Sequence, residues 1–165
     1  MTTDSSANSA NLDITEEKLA KLIADSLQGK GTLGAGLGLS ENELEAMYAV
    51  GYNLYVGGKY TDAIKIFSVL SLLSPLDYRF IFGGASCFQM MGEYMMASLY
   101  YQLACSMNTE DPAPMMHTAE CLLAVKDKDG AVFALEQVLE RAGDKPQYEA
   151  FRKKAEVVLE NVRAE

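Results

Sequence analysis

The sequence predicts an all-α fold: three tandem helix-turn-helix units forming a solenoid, led by an amphipathic helix and closed by a C-terminal capping helix. Three observations carry this reading. The chain matches itself at a shift of 34 residues. Within each match, apolar residues recur at the three, four and seven spacing of one helix face. Gly57-Gly58, Gly92 and a proline fall where the units need turns.

At a shift of 34, Gly51 falls on Ala85 and then on Ala119. Ala63 falls on Ala97 and Ala131, and Phe67 on Tyr101 and Leu135. Gly58 meets Gly92, Tyr60 meets Tyr94, and Cys87 meets Cys121. The units are therefore 44–77, 78–111 and 112–145. In the first, Met47, Val50, Gly51 and Leu54 mark one helix, Gly57-Gly58 breaks it, and Ala63, Phe67 and Leu70 mark a second that Pro75 stops. The small residues have a steric role, since two helices pack closely only where a small side chain admits a large one opposite. Phe67, Tyr101 and Leu135 are the large partners.

Outside the units, residues 1–11 are polar and predict disorder. Residues 12–43 predict an amphipathic helix and a glycine-rich hinge. Asp13 with Glu16 signals the helix start, and Leu19, Leu22, Ile23 and Leu27 form its apolar stripe. That stripe folds back on the repeats or pairs with a second copy; both remain open. In 146–165, Pro146 suits a first helical position. Phe151, Ala155, Val158, Leu159 and Val162 then make a stripe to cover the third unit, as an open-ended solenoid requires. Arg152, Lys153 and Lys154 are expected to face water.

Charge narrows the function. Fourteen Lys and Arg stand against 23 Asp and Glu, a net of −9, so neither a nucleic-acid backbone nor an anionic membrane surface is an expected partner. No apolar run is long enough to span a bilayer. The first six residues have no basic or apolar leader pattern, and three unpaired cysteines fit a reducing compartment. The expected location is cytoplasmic.

Catalytic and cofactor motifs are weak. Gly29-Lys-Gly-Thr-Leu-Gly34 matches G-x-G-x-x-G, but a helix precedes it where a dinucleotide site needs a strand. Its expected role is a flexible hinge through Gly38. His117 is the only histidine, so zinc lacks a ligand set. Cys87 and Cys121 share a unit position suited to a small buried residue. No metal, cofactor or enzymatic activity is expected.

A binding surface is better supported. Tyr48, Tyr52 and Tyr55 lie on a different face of their helix from the core residues. Seven of the nine methionines (Met90, Met91, Met95, Met96, Met107, Met115 and Met116) fall within 78–125, which has few charges. Methionine recurs on surfaces that accept varied apolar partners.

On these residues the chain resembles tetratricopeptide repeat proteins. It departs from their pattern in lacking Trp at the fourth unit position and in having the late proline once, at Pro75. The first helices of such repeats line a concave groove. The resemblance thus implies that Tyr48, Tyr52 and Tyr55 face it, followed by Phe82, Ser86 and Gln89, then Met116, Glu120 and Leu123. The same tyrosines could instead cover the N-terminal helix.

The stretches 44–63, 77–92 and 117–122, with Gly31-Thr32-Leu33, further resemble the class II chaperones of type III secretion translocator proteins. That resemblance implies a cytoplasmic chaperone that keeps hydrophobic translocators soluble by holding an extended segment of them. The implied peptide-binding residues are Tyr48, Tyr52, Tyr55, Tyr60, Leu73, Phe82, Ser86, Gln89 and Met116. It also implies a homodimer through Leu19, Leu22, Ile23 and Leu27 when no client is bound. The alternative is a general adaptor joining soluble partners.

Overall fold

Side-chain caps mark the starts of several helices. A computed structural model describes residues 15–164, all helix and connecting turn. Residues 1–11, expected to be disordered, lie outside the described residues, as does Asp13. Helix α1 (Glu16–Leu27) is capped by Thr15, whose hydroxyl accepts the Lys18 N–H at 3.2 Å. Helix α3 (Glu41–Val56) has a reciprocal cap: Ser40 Oγ accepts from Glu43 N, and the Glu43 carboxylate accepts from Ser40 N at 2.7 Å. Two orphan N–H groups are thereby satisfied.

Between them the glycine-rich segment is more ordered than the expected hinge. It contains a one-turn helix, α2 (Leu33–Gly36), capped by Thr32. Leu33 and Gly34 are buried. A methyl on Gly34 would sit 3.2 Å from the Leu73 carbonyl oxygen. Gly36 likewise leaves room for Leu22. Gly34 and Gly36 thus permit close approach, while Gly29 and Gly38 turn the chain with positive φ.

The repeats follow as helix pairs: α3 with α4 (Tyr60–Leu73), α5 (Tyr78–Met90) with α6 (Tyr94–Met107), and α7 (Ala113–Ala124) with α8 (Lys128–Ala142). Gly58 and Gly92 turn the first two pairs with φ of 73° and 80°. The third unit has Lys126 at that position, with φ of 63°, where an L side chain is strained.

Every helix from α3 to α9 packs on the next. Ala63, Ala97 and Ala131 are buried, as are Phe67, Tyr101 and Leu135, the small and large positions the repeat predicts. Gly51 leaves 3.2 Å between a methyl built on it and the Phe67 ring.

The core is divided into three clusters, and each one borrows from the element that follows. Phe67 and Leu70 are joined by Phe80 and Cys87 of the second unit. Ala97 and Tyr101 are joined by Cys121 of the third. Leu135 and Val138 are joined by Ala155 and Leu159 of α9 (Glu149–Ala164). A unit cannot complete its own core, which is why a solenoid needs a terminal cap. The cap begins with a one-turn 3-10 helix, Pro146–Tyr148. Arg152 and Lys153 pair with Glu156 and Glu149 on its outer side.

Candidate peptide-binding groove

The first helices of units one and two leave an open, mainly aromatic groove of about 460 Å³. One wall comes from α3. The Tyr48 ring leans on Phe67 and Phe80, with centroids 5.9 and 5.8 Å away. Tyr52 and Tyr55 follow at 6.5 Å from each other. Tyr52 is 53 % exposed, so its ring is free to meet a ligand. Burial pushes the Tyr48 and Tyr55 phenols above their ordinary range. Both keep their protons at neutral pH and can donate hydrogen bonds.

The opposite wall and floor come from α5, α6 and α7. Gly83 has no side chain because the Phe67 ring lies 2.7 Å from where a methyl would stand. The gap above it belongs to the groove. Phe82 meets Tyr101 edge-on at 5.1 Å and His117 at 5.6 Å. His117 stacks on Tyr101 at 5.0 Å and 18°.

Tyr101 is fully buried by area, yet its hydroxyl reaches the polar floor. It donates to Gln89 Oε1 at 2.7 Å and lies 3.1 Å from Ser86 Oγ. Gln89 Nε2 donates to Glu120 Oε2 at 3.1 Å, and His117 Nδ1 lies 3.0 Å from the same oxygen. Lys154 of α9 binds the other oxygen at 2.6 Å. The His117 contact, with those of Lys154 and Gln89, holds the Glu120 carboxyl at about 2 despite the opposing effect of burial.

Arg79 closes one end. Asp77 and Glu45 grip its guanidinium at 2.6 Å each, and its carbon lies 5.2 Å from the Tyr48 ring centre. These contacts hold the charge and lay a flat cation over the aromatic wall.

Of the nine expected peptide-binding residues, Tyr48, Tyr52, Tyr55, Phe82, Ser86 and Gln89 line this groove. Tyr60 stands behind the wall, packed on Tyr55 at 5.7 Å. Leu73 and Met116 are elsewhere. Leu73, 7 % exposed, is buried at the end of α4 where α2 crosses it. Met116, 2 % exposed, belongs to the cluster completed by α9. Repeat position sets the direction of a side chain but not what covers it.

The structure adds residues the unit positions missed. Gly83 and His117 share the sixth unit position, one residue after Phe82 and Met116. Arg79 is three residues before Phe82, so helical spacing from Phe82 would have found it. Tyr101 came from the second helix as a core residue, with no sign in the sequence that its hydroxyl would cross to the groove.

Catalytic chemistry finds little support in the cysteines. Burial pushes the Cys87 and Cys121 thiols up to about 11, which suppresses the nucleophilic thiolate. Among the described residues no cluster suits a metal ion, and no helix is long and apolar enough to cross a membrane.

On the N-terminal helix, Leu19 and Ile23 are 39 % and 44 % exposed, while Leu22 is partly covered by α2. The side chain of Leu27 lies outside the described residues.

The tetratricopeptide repeat family matches residues 44–77. The low calcium response locus protein H of Yersinia pseudotuberculosis is 33 % identical over 151 residues, covering 92 % of this chain and 89 % of that protein. The translocator chaperone SycD of Yersinia enterocolitica superposes with a TM-score of 0.75 at 33 % identity, over 79 % of this chain and 98 % of that one. PcrH of Pseudomonas aeruginosa, solved with the chaperone binding region of PopD, gives a TM-score of 0.73 at 38 % identity, over 77 % and 96 %. With its repeat architecture and these relatives, the chain belongs to the class II, tetratricopeptide-type chaperones of type III secretion translocator proteins.

Proposed function

We propose that this chaperone holds an extended segment of a hydrophobic translocator protein in the groove between α3, α5 and α7. The client is thereby kept soluble in the bacterial cytoplasm until export. The observation that carries the reading is the open aromatic groove itself. Its tyrosines offer apolar faces to client side chains and hydroxyls to the client backbone. A solved relative, PcrH, holds the chaperone binding region of PopD, which supports a segment of similar kind here.

Binding of this sort needs no nucleotide, metal or covalent step, and the protein acts without catalysis. Its acidic surface keeps the complex dispersed. Without client, two copies pair through Leu19, Leu22, Ile23 and Leu27 of α1. SycD, a relative, has been solved in an alternative dimer.

The test is a pull-down from the native cytoplasm with wild type and Tyr52→Glu, read by mass spectrometry. Recovery of a protein with long apolar segments by wild type alone supports the reading. Recovery of folded, soluble partners regardless of Tyr52 points instead to an adaptor.

A further inference from the structure

On the groove floor, one ring nitrogen of His117 has no hydrogen-bond partner among the described residues. Tyr101 Oη is engaged with Gln89 and Ser86, and Gln89 is engaged at both its oxygen and its nitrogen. Ser86 Oγ donates to the Phe82 carbonyl. His117 is bound only through Nδ1. Among the described residues its Nε2 meets no hydrogen-bond partner, and the ring is partly exposed and lines the groove.

Glu120 fixes what Nε2 can do. An ionised carboxylate only accepts, so the Nδ1 facing it carries the hydrogen. In the neutral ring, Nε2 is then a lone-pair acceptor. Stacking on Tyr101 and the edge of Phe82 hold the ring in place.

We propose that His117 Nε2 accepts a backbone N–H from the bound client, and that protonation of this ring releases the client. The inference rests on the groove reading and adds the atom that reads the peptide backbone. Adding a proton to Nε2 replaces its lone pair with an N–H, which then faces the client N–H donor to donor.

Charges around the ring set the response. Glu120 is on its own helix, with Lys154 of α9 on that carboxylate. Tyr101 of α6 lies beneath the ring, and Asp111, Arg79 and Tyr48 line the rest of the groove. Glu120 stays ionised through mildly acidic pH because its carboxyl is held at about 2.

The experiment measures the affinity of a synthetic PopD chaperone binding region at pH 7.5 and 5.5, for wild type, His117→Gln and Tyr52→Glu. Circular dichroism confirms that each is folded at both pH values. Wild type should bind at least about fivefold more weakly at pH 5.5. His117→Gln should bind more weakly than wild type at pH 7.5 and show no pH slope.

Equal affinity of wild type at both pH values, or the same slope in His117→Gln, overturns the inference and leaves the groove reading intact. Absence of wild-type binding at pH 7.5, or Tyr52→Glu binding as tightly as wild type, overturns the groove reading and this inference with it. Nitrogen NMR of the single histidine gives an independent check. A protonated Nε2 and bare Nδ1 in the neutral free protein would also contradict it.

Discussion

Units one and two differ from unit three chiefly in what lies over their concave side. At the fifth unit position, Tyr48 and Phe82 line an open groove, whereas Met116 is sealed in the core. At the ninth, Tyr52 is largely exposed, whereas Glu120 is bound by Lys154 of α9. The repeat register is the same in all three. The capping helix makes the difference, occupying the place where a fourth unit's first helix would stand. A solenoid's last unit therefore supports the site more than it forms it. Glu120 shows the connection, since it is anchored by α9 and in turn holds His117 and Gln89 of the floor.

The largest expected effect is a stability effect in unit three. Leu135 is fully buried in the cluster shared with α9. Leu135→Ala should cost about 2–5 kcal/mol in urea unfolding. At low temperature, where the variant stays folded, client affinity should hold within about twofold of wild type, because Leu135 does not line the groove. A large loss of affinity in the folded variant would break the distinction between the two regions.

Glu120→Gln is next, because that residue joins the regions. The folded carboxyl is held at about 2 against an ordinary value near 4.5. Its contribution is complete above the ordinary value and is lost as pH falls from there toward 2. Urea midpoints should thus fall more steeply for wild type than for Glu120→Gln over that window. At neutral pH the substitution should cost about 2 kcal/mol, the range for hydrogen bonds to a charged group.

Most of the architecture was legible because the small-to-large pairs of a helix hairpin repeat with the chain. Gly51 and Phe67 meet within one hairpin, and the burial of Ala63, Ala131 and Leu135 follows from register. Groove residues on α3 and α5 were legible for the same reason. What escaped depended on contacts between distant segments. The placement of α2 over Leu73 turned an expected hinge into packed structure. The reach of α9 removed Met116 from the groove, and the crossing of the Tyr101 hydroxyl brought a second-helix residue into it. His117 read as a lone histidine because its partners, Tyr101 and Phe82, come from other helices.

The smallest expected effect concerns the turn that distinguishes the units. Lys126 takes the left-handed conformation that Gly58 and Gly92 take in the first two. Lys126→Gly should stabilise the protein by about 1 kcal/mol, relieving the steric cost less the entropy of glycine. No gain in the urea midpoint would mean that the third turn is not strained in this way.

The most direct test of the central claim is amide hydrogen exchange with and without a bound client segment recovered in the pull-down. The account predicts new protection along α3 and α5, extending to the His117 turn of α7, with α9 and the outer faces of α4 and α6 unchanged. Protection concentrated on α9 or on those outer faces, with α3 and α5 exchanging as before, would contradict it.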